Sequence, residues 1–179
     1  MCDPVCIARF ETNKHWARHE ISLSSTHSSF RDCTMSEYIP PTIDWVRKHV
    51  ERYEASNGTE YTTLMDTGMP CIIVTHQGQR SGGIRKIPLM RVKVDDDYVL
   101  IGSMGGQPKN PAWVYNLRAN SDVEIRDETH VARYTVSEVS DEATRQKLWD
   151  AAVEAYPPYT DYQAKTTRKI PVFVAKPES

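Results

Sequence analysis

The predicted strands of this 179-residue chain follow one another through short turns, and this connectivity limits its fold more than any other feature. Pro70–His76 is a short apolar run rich in β-branched residues, which favours a buried strand. Ile84–Val94 follows a glycine-rich turn and ends in alternating apolar and basic residues, which gives one buried and one wet face. Tyr98–Ser103 returns directly after the acidic turn Asp95–Asp97. Turns this short join antiparallel strands, because parallel neighbours need a crossover of roughly a dozen residues or more.

Three further segments complete the predicted sheet. Val123–Arg126 and Val131–Val139 form another hairpin, and Ile170–Ala175 is the last strand. Pro88 cannot donate a ladder hydrogen bond, so it predicts a sheet edge or a bulge within Ile84–Val94. About six antiparallel strands without βαβ alternation or an internal repeat predict a small split barrel packed with a few helices, a mainly β or α+β fold.

Helical spacing of apolar residues and capping residues predict helices around this sheet. Double proline at Pro157-Pro158 is expected to stop the third of them. The predicted helices are Ile43–Glu54 with Thr42 as N-cap, a short helix from Asn110 to Leu117, a helix capped by Ser140, and Tyr159–Lys165.

Residues 1–34 differ from the rest of the sequence, because they include the serine-rich stretch 21–29 and show no sustained period. Such a segment buries too little apolar surface to offset the entropy lost on ordering. It is either a disordered tail or the product of a start codon assigned too early, with Met35 as the alternative start; a functional arm is a third interpretation. Residues 35–179 are expected to form a single domain.

Composition argues against several classes of protein. The net charge of -2 disfavours general nucleic-acid binding, and no stretch approaches the roughly 20 apolar residues of a membrane helix. The four cysteines do not resemble the disulfide framework of a secreted domain and no apolar signal segment is apparent, so we expect a cytoplasmic protein. The N-terminal cysteines and histidines fit no standard zinc spacing, so we expect no metal there; they are Cys2, Cys6, His15, His19 and His27.

A cluster of positive charge is the sharpest functional signal. The stretch from Gln79 to Lys93 contains no acidic residue and carries Arg80, Arg85, Lys86, Arg91 and Lys93. Ser81, Gly82 and Gly83 lie in the same stretch, where glycines allow backbone N–H groups to form an anion nest and arginines bind phosphate or carboxylate oxygens. The pattern indicates an anion site, although a solvated strand face beside an ordinary turn explains it too.

Two other segments carry candidate site residues. Tyr156, Tyr159 and Tyr162 recur every three residues, and a tyrosine combines an apolar body with a polar tip, which suits a pocket wall. Ser103 begins a glycine-containing loop that exposes backbone donors, and Trp113 offers a flat face close behind it. Core packing is the alternative interpretation of the tyrosines and of Trp113.

Familiar catalytic and nucleotide-binding motifs are missing from the sequence. Gly78–Gly82 does not end as a Walker A loop, and it leads into a strand, unlike a Rossmann turn. His49, His76 and His130 are scattered, and His76 alone stands beside the glycine-rich turn, where it could line the site.

Three segments nevertheless form an ordered pattern over residues 42–177. They are Val74–Leu89 with Gly78, Arg80, Ser81, Gly82, Arg85 and Pro88; Ser103–Asn120 with Gly105, Gly106, Asn110, Pro111, Trp113 and Asn116; and Tyr156–Gln163. In this order they resemble the signature of the deazaflavin (coenzyme F420)-dependent nitroreductase and quinone reductase family. The resemblance implies a split β-barrel that binds coenzyme F420, whose phosphate and oligoglutamate tail are polyanionic. That ligand fits the independent charge pattern.

The resemblance also implies roles for individual residues. Arg80, Ser81, Gly82 and Arg85 would hold the phosphate and tail of the coenzyme. Tyr156, Tyr159 and Tyr162 would wall the substrate side, with Met90 and Ser103 nearby as further candidates for the catalytic side. The residues that would shape the ring site are Pro88, Gly102, Ser103, Met104, Gly105, Trp113 and Asn116.

The implied activity is hydride transfer from reduced coenzyme F420 to a small electrophile: a quinone, an activated alkene or a nitro compound. A tyrosine hydroxyl or Ser103 would polarise the acceptor oxygen, and we favour Tyr159 over Tyr156. Met90 stands where nitroimidazole-reducing relatives carry a tyrosine, which weakens the expectation of nitroimidazole reduction; Met104 replaces a lysine of some relatives. An FMN-binding oxidoreductase or flavin reductase of the same barrel type and a non-catalytic deazaflavin carrier remain alternatives, and a homodimer is left open.

Overall fold

The structure is a computed structural model that describes residues 36–178. Predictions about residues 1–34, including the tail and the N-terminal cysteines and histidines, lie outside the described residues. None of the described helices combines the length and apolarity needed to cross a membrane. In chain order the elements are α1 Asp44–Ala55, β1 Cys71–Gln77, β2 Ile84–Met90, β3 Lys93–Val94, β4 Asp97–Ile101, α2 Ala112–Ala119, β5 Asp122–Asp127, β6 His130–Glu138, α3 Glu142–Ala155, α4 Pro158–Ala164 and β7 Val172–Pro177.

All seven described strands form one curled sheet in the order β2-β1-β5-β6-β7-β4-β3, and every neighbouring pair is antiparallel. The predicted antiparallel α+β barrel is therefore confirmed. Pro88 lies in β2, an edge strand whose outer side needs no ladder donor from it, so the edge prediction is also confirmed.

The prediction of one continuous strand over Ile84–Val94 is wrong. β2 ends at Met90 and β3 begins at Lys93, and the two strands lie at opposite edges of the sheet. At the bend between them, Arg91 N–H donates to Pro70 O over 2.9 Å, and Val92 O accepts from Val99 N–H over 2.9 Å. Apolar and basic side chains keep alternating through the bend, so the sequence pattern gives no sign of it.

The predicted N-caps of two helices are shifted by one residue. The N-cap of α1 is Ile43, which makes no side-chain capping bond, and not Thr42. The N-cap of α3 is Asp141, whose carboxylate accepts from Thr144 N–H over 2.8 Å, and not Ser140. A carboxylate satisfies an unpaired amide and also interacts favourably with the positive end of the helix dipole, which explains the preference for Asp141.

Both faces of the sheet are covered around β4 and β7, because successive strand residues enter different apolar clusters. Leu100 and Phe173 belong to a cluster that also contains Ile72, Val74 and Trp113. Their neighbours Ile101 and Val172 belong to a second cluster, which contains Met90 and Tyr159 and packs against side chains of α3. Because both faces of β4 are buried, its sequence is a continuous apolar run, whereas buried and exposed residues alternate along β6.

A carboxylate on β5 fixes the bend between β2 and β3. The Asp127 side chain is 13% exposed and accepts from Arg91 Nη1 over 3.0 Å and from the Tyr98 hydroxyl over 2.8 Å. Burial and the hydrogen bond to Asp127 raise the pKa of Tyr98, which keeps the phenol protonated. One side chain of β5 thus holds both the bend and the strand that follows it.

Replacing Asp127 by alanine tests this role. We expect Asp127→Ala to lower the free energy of unfolding by about 2–3 kcal/mol, because it leaves a buried phenol and a partly buried guanidinium without their shared acceptor. Urea unfolding measures the change. Asp150→Ala, which removes an exposed acceptor of Gln146, is the matched control and should change stability by less than about 0.5 kcal/mol. Equal effects of the two variants would contradict the assignment.

Candidate cofactor and substrate site

The turn that joins β1 to β2, residues 78–83, is called the glycine turn here. Gly82 has φ +67° and its N–H donates to Gly78 O over 2.8 Å, while Gly83 N–H donates to the Ser81 hydroxyl over 3.3 Å. Those two amides are thus used inside the turn, so the anion nest expected from these glycines is not formed by them. The turn instead holds exposed Arg80 in place beside the sheet edge.

Ion pairing separates the five cations of the stretch from Gln79 to Lys93. Lys86 and Arg91 are paired with carboxylates, and the Lys93 ammonium lies 5.6 Å from the centroid of an aromatic ring. Among the side chains that the structure describes, no carboxylate pairs with Arg80 or Arg85. These two cations, one on the glycine turn and one near the start of β2, are therefore available to an anionic ligand.

Helix α2 anchors the glycine turn through amide side chains. Asn116 Oδ1 accepts from Gln79 N–H over 3.0 Å, which brings two predicted cofactor segments together. Asn120 Nδ2 donates to Gln77 Oε1 over 2.8 Å, and Gln77 Nε2 donates to Gly82 O over 3.0 Å. Sequence reasoning missed the supporting roles of Gln77 and Asn120. The available signal was the two asparagines at the end of α2, of which Asn116 lies in the helix and Asn120 is its extended C-cap.

The segment after β4, residues 102–110, is called the Ser103 loop. At Gly102 a Cβ atom would lie 2.9 Å from Val114 Cγ2 and 3.3 Å from Pro171 Cδ, so the close packing of three segments requires glycine. Ser103 follows it with 9% exposure. The next residue, Met104, is 50% exposed and has φ +48°, a left-handed conformation that is unusual for a residue with a side chain.

The Ser103 loop contacts helix α4 at Gly106. Gly105 and Gly106 continue the left-handed conformation of Met104, with φ +64° and +81°. A Cβ atom at Gly106 would lie 2.6 Å from Tyr162 O and 3.0 Å from Lys165 Cβ, whereas one at Gly105 would meet nothing within 4 Å. The backbone of the loop thus approaches α4 as closely as glycine allows.

The three predicted tyrosines form one group, called the tyrosine segment, residues 156–162. Their ring centroids are 5.1–6.2 Å apart, and the hydroxyl oxygens of Tyr156 and Tyr162 are 3.2 Å apart, a hydrogen bond that raises the pKa of Tyr162 to about 12. Tyr159 is 5% exposed, its hydroxyl has no hydrogen-bond partner within the described residues, and burial raises its pKa. The structure therefore brings the three tyrosines together, and Met90 belongs to the apolar cluster against which they pack.

Other predicted residues lie deeper in the fold. Trp113 is 5% exposed and its ring centroid lies 5.7 Å from that of Phe173, so its indole is part of the core, and a role at the ring site stays a prediction. Pro88 is buried in β2. His76 is 4% exposed opposite Arg85 in the β1–β2 register, and burial lowers its pKa to about 4, which makes it a neutral residue behind the glycine turn.

Comparison with known proteins identifies the family. The sequence model described as F420H(2)-dependent quinone reductase matches residues 45–177. The chain belongs to this family. An F420H(2)-dependent quinone reductase of Mycobacterium tuberculosis strain H37Rv is 30% identical over 134 residues, which cover 74% of this chain and 89% of that protein. A putative F420H(2)-dependent quinone reductase of the same strain is 32% identical over 111 residues, which cover 61% of this chain and 91% of that protein.

Solved structures agree with the family. A structure described as an F420-H2 dependent reductase is 44% identical, with a TM-score of 0.57 and coverage of 60% of this chain and 94% of that one. A second, described as a domain-swapped dimer, is 40% identical, with a TM-score of 0.59 and coverage of 74% and 98%. The predicted family and fold are confirmed, and the chain is an F420H(2)-dependent reductase whose cofactor is reduced coenzyme F420.

The side chains present suit this coenzyme. A polyanionic tail requires cations that are not already neutralised. Arg80, on the turn braced by Asn116, and Arg85, near the start of β2, meet that requirement. The Ser103 loop next to the tyrosine segment offers the backbone groups and the partly apolar wall that a flat ring system needs.

The two loop glycines provide a matched test of the contact with α4. Gly105→Ala introduces only left-handed strain, so we expect a loss of about 1 kcal/mol of unfolding free energy. Gly106→Ala adds a clash with backbone and should cost about 3 kcal/mol. Urea unfolding of both variants measures the difference, and a loss at Gly106 no larger than that at Gly105 would show that the loop is not tightly packed on α4.

Proposed function

We propose that this reductase holds the coenzyme between the glycine turn and the Ser103 loop and reduces quinones on the side lined by the tyrosine segment. The observation that carries the proposal is the pair Arg80 and Arg85, which are left without carboxylates while Lys86 and Arg91 of the same stretch are neutralised. Residues remote in sequence supply the carboxylates, so the fold itself selects which cations remain for a ligand.

In the proposed arrangement Arg80 and Arg85 bind the phosphate and oligoglutamate tail, since guanidinium groups match these oxygens in a bidentate geometry. The Ser81 hydroxyl, whose oxygen accepts from Gly83 N–H, keeps its own proton to donate to the phosphate, and Gly82 gives the turn the shape that presents it. The ring system lies against the Ser103 loop. The residues proposed to shape this ring site are Pro88, Gly102, Ser103, Met104, Gly105, Trp113 and Asn116.

The bound deazaflavin supplies a two-electron hydride donor, and the protein supplies position, exclusion of water and a hydrogen-bond donor. Tyr159 fits the donor role, because its hydroxyl is free of protein partners among the described residues and its raised pKa keeps the proton on the oxygen at neutral pH. A protonated phenol donates a hydrogen bond to the acceptor oxygen as negative charge develops there. Tyr156, Tyr162 and Met90 provide a largely apolar wall that suits a planar quinone.

A parallel fluorescence titration with coenzyme F420 and with FMN tests the cofactor site. We expect saturable binding of F420, weakened about 10-fold or more by Arg80→Ala or Arg85→Ala, because each removes a charge-assisted contact. Lys93→Ala is the matched control, since Lys93 belongs to the same cationic stretch but lies over the Tyr98 ring. The affinity of this variant for F420 should equal that of the wild type. Tight FMN binding without a response to F420 would contradict the proposal.

Turnover with quinones tests the hydroxyl of Tyr159. We expect Tyr159→Phe to lower kcat by about 10- to 100-fold with little change in F420 affinity, because the ring stays and only the hydrogen-bond donor is lost. Tyr115→Phe, at a tyrosine that is 45% exposed, is the control. Unchanged turnover of Tyr159→Phe with every accepted acceptor would exclude this role, and steady turnover by the wild type separates an enzyme from a coenzyme carrier.

A second copy of the chain is the protein partner we propose. Support comes from the 40% identical structure described as a domain-swapped dimer. The molecular mass in solution tests this. A cytoplasmic location is proposed as well, and its support is the sequence, whose four cysteines do not resemble a disulfide framework.

A further inference from the structure

One arginine connects the two sides of the proposed site. Arg168 lies between α4 and β7, and its guanidinium donates four hydrogen bonds to the Ser103 loop. Nη2 donates to Gly102 O over 3.1 Å and to Ser103 O over 2.7 Å. Nε donates to Gln107 O over 2.8 Å, and Nη1 donates to Asn110 Oδ1 over 2.7 Å. These acceptors lie at both ends of the loop, so a single side chain bridges the two ends.

Arg168 is itself attached to the tyrosine side of the site. Gln163, the neighbour of Tyr162 on α4, donates from Nε2 to Arg168 O over 2.9 Å. Gln163 Oε1 also accepts from Ile170 N–H over 3.0 Å, so the nitrogen and the oxygen of one side-chain amide both hold the segment that carries Arg168. A continuous series of covalent and hydrogen bonds therefore connects the tyrosine segment through Gln163 and Arg168 to Ser103.

The chemistry of these contacts requires a guanidinium. All four acceptors are neutral oxygens, and among the described side chains no carboxylate pairs with Arg168. A planar fork of five N–H donors reaches several fixed carbonyls at once, whereas a lysine ammonium has three donors at a single point. The carbonyls of Gly102 and Ser103 follow the end of β4, where the sheet no longer supplies partners to them.

We propose that Arg168 is a positioning residue that fixes the Ser103 loop relative to the tyrosine segment, and so sets the distance between the coenzyme side and the acceptor side of the site. The inference rests on the proposed function for the roles of the two sides, but the contact itself does not. The four bonds also hold both ends of the loop around Met104, whose left-handed φ of +48° is unfavourable for a residue with a side chain.

Hydrogen–deuterium exchange of the full chain without coenzyme tests the contact alone. The reporters are the amides of Gly106 and Gln107, which donate inside the loop to Ser103 O and Met104 O. We expect Arg168→Ala to speed their exchange about 10-fold or more, since loss of charge-assisted bonds frees the loop. Arg168→Lys should give a smaller increase. Unchanged exchange in both variants would overturn the inference, whatever the chain binds.

Arg118→Ala is the matched control, because Arg118 lies on α2, directly after the loop, and pairs bidentately with Glu138 without touching the loop. Its loop amides should exchange as in the wild type. If Arg118→Ala accelerated Gly106 and Gln107 as much as Arg168→Ala does, the effect would be a general loss of stability and the inference would fail.

Function is measured with two further readouts. We expect Arg168→Ala to weaken F420 binding about 10-fold and to lower kcat for a quinone, and guanidinium ion, far below denaturing concentrations, to restore part of both. A structural loss would not respond to guanidinium. The positioning role would be overturned if Arg168→Ala accelerated amide exchange but left F420 binding and kcat unchanged, so that guanidinium had nothing to restore. If the wild type did not bind F420, the proposed function would fail, whereas the exchange result would still decide whether Arg168 fixes the loop.

Discussion

The residues between β1 and β4 must form backbone hydrogen bonds at both edges of the curled sheet, and the remaining elements depend on this constraint. β2 pairs with β1 at one edge and β3 pairs with β4 at the other, so a single stretch must serve both edges within a few residues. The bend at Arg91 and Val92 meets this demand with two backbone hydrogen bonds, and Asp127 holds it from β5.

The arrangement of charges at the proposed site depends on the same stretch between β1 and β4. Because β2 leaves β1 through the glycine turn, the cations of the hairpin are distributed over two environments. Lys86 and Arg91 point to carboxylates of other elements, whereas Arg80 and Arg85 remain unneutralised. The pairing is decided by Glu54 and Asp127, which are far away in sequence, so net charge along the chain overstates the number of cations that a ligand can use.

Periodic features were predictable from the sequence, and long-range contacts were not. Alternation and short turns gave the antiparallel sheet, Pro88 gave the edge, and the spacing of the tyrosines gave a group that does assemble. The bend inside Ile84–Val94 left no trace because alternation continues through it. The bonds of Arg168 join residues 58 to 66 positions apart, and nothing in the local sequence marks such partners.

The tyrosine segment has a consequence for how a family of such reductases diversifies. Three of the residues proposed to meet the acceptor lie within seven consecutive positions, while the residues proposed for the coenzyme come from β2, the glycine turn, the Ser103 loop and α2. Side-chain substitutions in this short segment would therefore alter the range of molecules reduced. The contacts that tie the segment to the Ser103 loop would remain, because they use the Tyr162 backbone and the Gln163 side chain. In the proposed arrangement, selectivity for the acceptor can therefore change with little effect on coenzyme binding.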